Sequence, residues 1–316
     1  MHKFKKGLIM KKIFIDGSAG TTGLRIRERL AERQDIELIT LSEEKRKDTE
    51  ARREALNSAD IAFLCLPDAA AIEAVSLVEN PATAIIDTST AHRTNPLWTY
   101  GFPELSGLRE KIAVSKRVAN PGCHASGFVA LINPLVKAGI IDKSAHLVCF
   151  SITGYSGGGK KMIAEYEDEA RCTCLDSPRQ YALGQEHKHL KEMAALSGLD
   201  SFPVFSPIVA DFYSGMQVNV GLHRSDISGS LEDIKKVYAE VFDTPVVKFC
   251  DAPSDNGFLA SNEFSMNDGM QICAFGNDDR IMLTSRFDNL GKGASGAAVQ
   301  NMNILLGCDE TLGLVL

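Results

Sequence analysis

The sequence predicts an α/β protein with a mostly parallel sheet in its N-terminal part and a second, mixed sheet in its later part. Up to about residue 120, short apolar runs alternate with amphipathic stretches, which is typical of parallel strands joined by helices. From about residue 145, strand-like runs follow one another with fewer helical stretches between them. This change of rhythm favours a separate α+β unit in which the sheet is antiparallel or mixed.

The first unit opens with a strand, a glycine-rich turn and a helix. Residues 11–16 form a short apolar, β-branched run, and apolar residues from Leu24 to Leu30 recur at helical spacing among charged ones. A second strand is predicted over residues 36–41, which completes the opening of a Rossmann-type, dinucleotide-binding fold. Further strands are predicted over residues 61–67 and 84–87, with a helix over residues 69–78 between them.

The second unit is richer in strands. Strand-like runs lie at residues 146–152, 203–209, 217–222, 246–249, 270–275 and 280–284. A helix is predicted over residues 230–241, and another over residues 296–306 near the end of the chain. We expect this last helix to pack back on the first unit.

Composition argues against two classes of protein. The chain has 316 residues, 44% of them hydrophobic, and a net charge of −7 without a long lysine and arginine block, which argues against nucleic-acid binding. No apolar stretch approaches the ~18 residues that span a bilayer, so no membrane association is predicted. The basic N-terminus has too short an apolar part for a signal peptide, and Met10 is a possible alternative start. We predict a cytoplasmic protein.

The cysteine pattern agrees with that location. Eight cysteines are scattered along the chain, which is not the pattern of a disulfide framework and favours a reducing compartment. Cys172 and Cys174 form the one close pair in the sequence. No second pair or suitably spaced histidine and cysteine cluster completes a metal site, so no metal is predicted.

The glycine-rich turn predicts a site for a dinucleotide. Its spacing, Gly-x-x-Gly-x-x-Gly, departs from the usual Gly-x-Gly-x-x-Gly, but it lies between a strand and a helix, as such a site requires. Its backbone amides can approach a pyrophosphate closely. The residues predicted to bind the cofactor here are Gly17, Ser18, Gly20, Thr21, Thr22 and Gly23. After the second strand, Ser42 and Arg46 could hold a 2′-phosphate and so favour NADP, whereas Glu43 and Glu44 weigh towards NAD.

The most informative run is Asn120-Pro121-Gly122-Cys123, which precedes an apolar stretch that predicts a buried helix. Proline and glycine end the preceding element, so Cys123 falls in the first turn of that helix. The unpaired amides and the dipole there favour an anion, and we expect them to lower the pKa of the thiol and to receive an oxyanion. The alternative is a small, buried, structural cysteine.

A nucleophilic thiol needs a group that moves protons, and the chain has seven histidines. His124 follows the cysteine directly, but consecutive helix residues point in different directions, so it need not face the site. His187 and His189 are the stronger candidates, and they cannot both face the thiol if their stretch is helical. We favour His189. Glu192 could orient the imidazole or bind substrate.

Two further segments carry candidate ligand-binding residues. The loop at residues 154–161 combines glycines with two lysines, which suits a phosphate or the nicotinamide end of a cofactor, and its candidates are Ser156, Gly157 and Lys160. Arg93 follows a strand, where it could hold a carboxylate or a phosphate.

Eight segments together resemble the N-acetyl-γ-glutamyl-phosphate reductase family, in its shorter sequence type. They lie at residues 16–23, 63–68, 89–93, 100–105, 120–123, 154–161, 187–190 and 288–296. The likeness runs over nearly the whole chain, and the Asn-Pro-Gly-Cys, Gly-Tyr-Ser-Gly-Gly-Gly-Lys-Lys and His-Lys-His-Leu runs are its specific parts. His124 and Lys191 depart from the pattern, since relatives often have an aromatic residue and a proline there.

The resemblance implies an NADPH-dependent enzyme of arginine biosynthesis that reduces N-acetylglutamyl phosphate through a thioester on Cys123. The strand-rich second unit favours a homodimer or homotetramer. The resemblance also implies an NADP-binding domain over residues 1–121 and 293–316, and a catalytic and oligomerisation domain over residues 122–292. The site residues that it adds are Asn120 for catalysis, Cys65, Leu66, Pro67, Asn289, Gly291 and Lys292 for the cofactor, and Glu104 for substrate. The alternatives are an aspartate-semialdehyde dehydrogenase and a non-catalytic, NADP-binding regulatory protein.

Overall fold

The computed structural model describes residues 10–252 and 256–316, so the basic tail at residues 1–9 lies outside the described residues. In the described ranges, six parallel strands form the first sheet in the order β2-β1-β3-β4-β6-β5. These strands are β1 (Lys11–Asp16), β2 (Ile36–Ile39), β3 (Ile61–Leu64), β4 (Ala84–Asp87), β5 (Thr99–Tyr100) and β6 (Arg117–Ala119). The order places β3 and β4 at the centre, where every strand residue is buried.

Helices cover both faces of this sheet. They are α1 (Thr21–Ala31), α2 (Thr49–Ser58), α3 (Asp68–Ser76), α4 (Leu108–Val114) and, from the end of the chain, α9 (Gly296–Leu306). Helices α2 and α3 pack on one face, and α1, α4 and α9 pack on the other, where Val299 and Met302 meet Ile13 and Ile86. The predicted return of the last helix to the first unit is therefore confirmed.

The second sheet is mixed, as predicted, with the order β11-β12-β13-β10-β7-β9-β8. Its strands are β7 (Val148–Gly154), β8 (Arg179–Gln180), β9 (Val204–Ala210), β10 (Met216–His223), β11 (Val247–Phe249), β12 (Met270–Gly276) and β13 (Arg280–Phe287). The pairs β7–β9 and β11–β12 are parallel, and the others are antiparallel.

Within residues 10–252 and 256–316, helices cover one face of the second sheet. They are α5 (Cys123–Lys137), α7 (Leu190–Ser197) and α8 (Leu231–Val241), while the short helix α6 (Gly159–Glu167) follows β7. Because side chains alternate along a strand, Val218 and Leu283 lie under these helices, whereas Phe150, Val204 and Met282 point to the other face. Those three side chains are 49%, 56% and 43% exposed.

The predicted ends of several strands were wrong by two or three residues. The strands predicted over 36–41 and 61–67 end at Ile39 and Leu64, and the strand predicted over 280–284 continues to Phe287. The added residues of β13 pair with both β10 and β12, a contact that local sequence does not reveal. In the described ranges, no helix is both long and apolar enough to cross a membrane.

Candidate active site

The Asn-Pro-Gly-Cys turn joins the first sheet to the second unit. Asn120 directly follows β6, Gly122 is extended, with φ −81° and ψ 146°, and Cys123 is the first residue of α5. Gly122 is required by close approach, because Nη1 of Arg93 and Nε2 of His189 lie where a Cβ would be. The glycine thus lets a guanidinium and an imidazole lie against the start of the helix.

Cys123 lies in a cavity of about 300 Å³ that we call the thiol cavity. Burial raises the pKa of its thiol, and the His124 backbone N–H, Arg93 and Lys188 oppose that effect without overcoming it. The expectation that the helix N-terminus lowers this pKa is therefore wrong for the structure, because removal from water outweighs the dipole. The thiol keeps its proton at neutral pH until a base accepts it.

His189 lines the same cavity and can be that base. Burial, followed by the nearby charge of Arg93, lowers the pKa of its imidazole well below the ordinary value, so the ring is neutral. Its Nδ1 is buried and has no hydrogen-bond partner in the part of the chain that the structure describes. A neutral imidazole can accept a proton from a thiol.

His187 also lines the thiol cavity, with its ring centre 4.7 Å from that of His189. Its Nδ1 accepts a hydrogen bond of 3.1 Å from the His189 backbone N–H, and burial lowers its pKa to about 4. Both histidines face the cavity because α7 begins only at Leu190. In a helix, His187 and His189 would point in different directions, but the stretch that carries them is not helical.

Glu192 ties α7 to the turn. Its carboxylate accepts hydrogen bonds from the Gly122 N–H (2.8 Å), the Tyr100 hydroxyl (2.8 Å) and Arg93 Nη1 (3.0 Å). It makes no hydrogen bond to His189 within the described residues, so it does not orient the imidazole directly. Glu192 instead fixes the backbone that carries the thiol.

Arg93 is held in place on three sides. Besides Glu192, its Nε donates to the Asn120 carbonyl (3.0 Å) and its Nη2 to the Thr88 carbonyl (2.9 Å). A guanidinium has five N–H groups, so two of them stay available where Arg93 lines the thiol cavity. The predicted role in binding a carboxylate or phosphate fits this arrangement.

The amides of Asn120 and Asn289 brace the other wall of the thiol cavity. Asn120 Nδ2 donates to the Ala294 carbonyl (3.0 Å), and Oδ1 accepts from Asn301 (3.2 Å). Asn289 donates to the Ser156 hydroxyl (3.0 Å). Asn120, Asn289 and Gly157 line the cavity, whereas Ser156 is buried behind it.

Sequence reasoning did not assign His124 or Tyr181 to the site, although both line the thiol cavity. His124 lines it, and its ring nitrogens lie 2.6 Å from the Tyr181 hydroxyl and 2.6 Å from Ser151 Oγ. The expectation that His124 need not face the site is wrong, because the first two residues of α5 both reach the cavity. Tyr181 directly follows the edge strand β8, and no local sequence motif identifies it as a site residue.

A second cavity, of about 940 Å³, lies over the glycine-rich turn, and we call it the glycine-loop cavity. Gly17 has φ +88°, and a Cβ there would meet the Cys65 carbonyl, so only glycine permits this turn. The predicted residues that line this cavity are Gly17, Ser18, Gly20, Arg46, Cys65, Leu66 and Pro67. Arg27 and Lys47 add positive charge to this cavity, whereas Arg52, which also lines it, is paired with the Asp16 carboxylate at 2.9 Å.

Several predicted residues near the glycine-rich turn and the 154–161 loop lie elsewhere than expected. Thr22 lines the thiol cavity, and Lys160, predicted to bind substrate, lines the glycine-loop cavity. Thr21, Gly23 and Ser42 line neither. Gly23 packs against the Gly17 backbone, which gives it a structural role in the turn.

The roles predicted for Glu104 and Lys292 are wrong, because these two side chains pair with each other. Nζ of Lys292 donates to both oxygens of the Glu104 carboxylate at 2.8 Å and to Gln300 at 2.6 Å, and Lys292 is 1% exposed. All three N–H groups of the ammonium are thus used inside the protein. The pair, with Gly291 beside it, lies outside both cavities, so the predicted contacts of these residues with substrate or cofactor are replaced by a structural role.

In the described residues, no group of three or more histidine, cysteine, aspartate or glutamate side chains could hold a metal ion.

The two cavities approach each other at the start of α1, where Gly20 lines the glycine-loop cavity and Thr22 lines the thiol cavity. A ligand in the glycine-loop cavity can therefore extend towards Cys123.

Comparisons with known proteins agree with this arrangement. The model of the semialdehyde dehydrogenase NAD-binding domain matches residues 12–115, and that of the semialdehyde dehydrogenase dimerisation domain matches residues 123–289. Among solved structures, aspartate semialdehyde dehydrogenase II from Vibrio cholerae, complexed with ASA, has a TM-score of 0.71 at 15% identity, covering 94% of this chain and 98% of that one. Aspartate semialdehyde dehydrogenase with NADP from Candida albicans has a TM-score of 0.63 at 16% identity, covering 94% and 98%. These likenesses show the fold.

Sequence relatives are much closer. N-acetyl-gamma-glutamyl-phosphate reductase 2 from Nostoc sp. is 47% identical, covering 96% of this chain and 99% of its own. N-acetyl-gamma-glutamyl-phosphate reductase from Brucella ovis is 45% identical, covering 94% and 99%. With the fold of the semialdehyde dehydrogenases and such identity over nearly its whole length, the chain belongs to the N-acetyl-γ-glutamyl-phosphate reductase family.

Proposed function

We propose that this protein reduces N-acetyl-L-glutamyl 5-phosphate to N-acetyl-L-glutamate 5-semialdehyde and phosphate with NADPH, a step of arginine biosynthesis. The observation that carries the proposal is the meeting of Cys123, neutral His189 and Arg93 in one cavity beside the glycine-loop cavity. The relatives at 45–47% identity bear the name of this activity.

In the proposed first step, His189 accepts the Cys123 proton and the thiolate attacks the acyl carbon of the substrate. The bond from that carbon to the phosphate oxygen breaks, phosphate leaves, and a thioester remains on Cys123. The two N–H groups of Arg93 that the protein does not use can hold the phosphate or the substrate carboxylate. Backbone amides at the start of α5 can bind the oxygen that becomes negative.

The second step reduces the thioester. When bound, the nicotinamide supplies the hydride that the thioester carbonyl accepts. The carbonyl oxygen then re-forms its double bond, the carbon–sulfur bond breaks, and His189 returns the proton to the sulfur. A carboxylate carbon resists hydride directly, whereas a thioester accepts it, which explains why a thiol and a dinucleotide site occur together.

The glycine-loop cavity fits NADP. Gly17 permits the tight turn that a Cβ would prevent by meeting the Cys65 carbonyl, and the start of α1 can present backbone amides to a pyrophosphate. Arg46 and Lys47, which follow β2 and line this cavity, offer positive charge to a 2′-phosphate. We therefore propose NADP as the preferred cofactor and not NAD.

We also propose a domain division and an assembly. Residues 1–121 with 293–316 would form the NADP-binding domain, and residues 122–292 the catalytic domain, supported by α9 packing on the first sheet. The outward apolar face of the second sheet, at Phe150, Val204 and Met282, suits a second copy of the chain in a homodimer or homotetramer. The match to a dimerisation domain supports this assembly. The reducing, cytoplasmic location stays a prediction.

The test is the reverse reaction, with N-acetylglutamate semialdehyde, phosphate and NADP, followed by absorbance of the reduced nicotinamide. We expect phosphate-dependent turnover, its loss in Cys123→Ala, and normal turnover in the control Cys174→Ala, which changes an exposed thiol.

A second variant tests the cofactor preference. Arg46→Ala should raise KM for NADP about tenfold, or about 1.4 kcal/mol, and leave KM for NAD unchanged.

Each failure has a distinct meaning. Turnover with aspartate semialdehyde but not with the acetylated substrate would assign the protein to the alternative enzyme. No turnover with either aldehyde would favour the non-catalytic, NADP-binding protein. Equal effects of Arg46→Ala on both cofactors would contradict the proposed 2′-phosphate contact.

A further inference from the structure

A row of hydrogen-bonding side chains leads from the second sheet into the thiol cavity. Ser151, on β7, lies 2.6 Å from Nδ1 of His124, and Nε2 of His124 lies 2.6 Å from the Tyr181 hydroxyl. Ser151 is 0% exposed and His124 is 3% exposed. The proposed reaction assigns no task to any of the three.

The hydrogens in this row can be assigned by counting donors and acceptors. Burial lowers the pKa of His124 to about 3, so its ring carries one N–H at neutral pH. In the described part of the chain, Ser151 Oγ has no hydrogen-bond partner other than His124. Its O–H must therefore donate to Nδ1, because otherwise a buried donor would have no acceptor.

The assignment continues to the cavity. With Nδ1 accepting, the single N–H of His124 is on Nε2, and it donates to the Tyr181 oxygen. The O–H of Tyr181 is then not used by His124. Tyr181 lines the thiol cavity with Cys123, and its hydroxyl makes no other hydrogen bond among the described residues, so this hydrogen can be donated to a group bound there.

Tyr181 keeps its hydrogen in this setting. Burial, and secondarily the charge of a Cys123 thiolate, raise the pKa of its phenol. The rings of His187, His189 and Phe205 pack around His124, with ring centres 5.2 to 5.7 Å from that of His124. This packing holds the imidazole in one orientation, and with it the phenol oxygen.

We propose that Tyr181 donates a hydrogen bond to the carbonyl oxygen of the acyl group on Cys123, and that His124, held by Ser151, positions that donor. The bond stabilises the negative charge that develops on the oxygen while the hydride adds, and no proton is transferred. The inference rests on the proposed function. It gives a task to His124, which the proposed reaction leaves unused.

The test is a double-mutant cycle of Tyr181→Phe and His124→Phe. We expect Tyr181→Phe to lower kcat about 100-fold with little change in KM, because the bond forms in the transition state. His124→Phe should lower kcat about tenfold in the wild type and have no further effect in Tyr181→Phe. His124→Gln, whose amide can still donate to Tyr181, should restore most of the loss. Tyr213→Phe, which removes a phenol hydroxyl outside both cavities, is the matched control and should leave kcat unchanged.

Two kinetic results would overturn the inference. One is an unchanged kcat in Tyr181→Phe. The other is an equal loss from His124→Phe in both backgrounds, because independent effects indicate a structural role. Wild-type turnover, measured first, separates these outcomes from a failure of the proposed function.

A second measurement does not need activity. Nitrogen-15 NMR of the full-length protein, with the His124 signals assigned by comparison with His124→Gln, reports which ring nitrogen carries the hydrogen. We expect it on Nε2. A hydrogen on Nδ1 would mean that Tyr181 donates to His124, and this would overturn the inference whether or not the enzyme turns over.

Discussion

Cys123 shows how two opposing effects compete at one residue. The start of α5 offers amides and a positive dipole, which favour a thiolate by typically less than about 1 kcal/mol for the dipole alone. Burial acts the other way and wins, so the pKa of the thiol is raised. The residue is therefore a protected nucleophile that His189 must activate, and not a permanently ionised one.

This balance predicts the order in which thiols react with a neutral alkylating reagent. Cys172 is exposed, and hydrogen bonds from Cys174 lower the pKa of its thiol, whereas that of Cys123 is raised. The thiolate forms as pH rises through the pKa, so Cys172 should react at a lower pH than Cys123 in the protein without substrate. Peptide mass spectrometry measures the labelling of both sites from pH 6 to 10, a range that brackets the ordinary thiol pKa of ~8.5.

The control is Cys172→Ser, which should leave the pH profile of Cys123 unchanged. Faster labelling of Cys123 than of Cys172 at pH 6 would contradict the prediction. It would show that the helix terminus and the nearby cations outweigh burial after all.

At the scale of single residues, the sequence indicated which side chains carry the chemistry better than it indicated what each of them contacts. Cys123, His189 and Arg93 meet as expected, since their motifs carry the chemistry. Lys292 and Glu104 were assigned to ligands because charged residues in a motif suggest binding, but they pair with each other inside the protein. A local pattern cannot tell whether a charge faces a ligand or a distant partner, here 188 residues away along the chain.

Helix α7 positions the site through its first turn. Glu192 binds the turn before α5, the Tyr100 hydroxyl of β5 and Arg93, so one carboxylate joins three separate elements. The carboxylate is almost completely buried, with its side chain 2% exposed. Removing its charge would leave Arg93 buried with an unpaired positive charge.

We therefore predict that Glu192→Gln lowers the free energy of unfolding by about 3 kcal/mol, the usual loss when one partner of a buried ion pair is removed. It should also lower kcat, because the Gly122 backbone and Arg93 lose their anchor. Denaturant unfolding and steady-state kinetics measure the two effects. The control Glu186→Gln changes an exposed glutamate just before His187 and should alter neither.

A stability within about 0.5 kcal/mol of the wild type would contradict this account of Glu192, since that is the usual range for surface changes. It would mean that the amide replaces the carboxylate fully. A normal kcat with reduced stability would limit Glu192 to a structural role.

Elements with a strong local period were predictable, and those set by pairing were not. The strand over residues 11–16, the strand over residues 84–87 and the last helix are where the pattern placed them. The two-residue strands β5 and β8 were not predicted, because they form only by pairing with β6 and β9, which are distant or short in the sequence pattern. Tyr181 follows β8, so missing that strand also meant missing a residue of the site.

The whole molecule places its chemistry where the two sheets meet. The carboxyl ends of the first sheet supply the glycine turn and Arg93, and the second unit supplies His187, His189 and Tyr181. The parallel sheet alone indicates a crevice at its strand ends. Which residues close that crevice depends on the packing of the second unit, and no local pattern in the sequence specifies that packing.

The unpaired face of the second sheet gives the last prediction. Phe150 lies at the centre of this face, on β7, between Ser206 of β9 and Asn219 of β10. If this face binds a second copy, Phe150→Asp should weaken the dimer at least about 30-fold, the effect of losing a central aromatic anchor worth ~2 kcal/mol. Since Phe150 is 49% exposed, the variant should still fold.

Analytical ultracentrifugation over a range of protein concentrations measures the dissociation constant. The control is Leu97→Asp, which places the same charge at an 84% exposed leucine of the first unit and should leave the assembly intact. Equal dissociation constants for Phe150→Asp and the wild type would rule out this face as the interface. Dissociation in both variants would instead indicate a general effect of added negative charge on a chain that already carries −7.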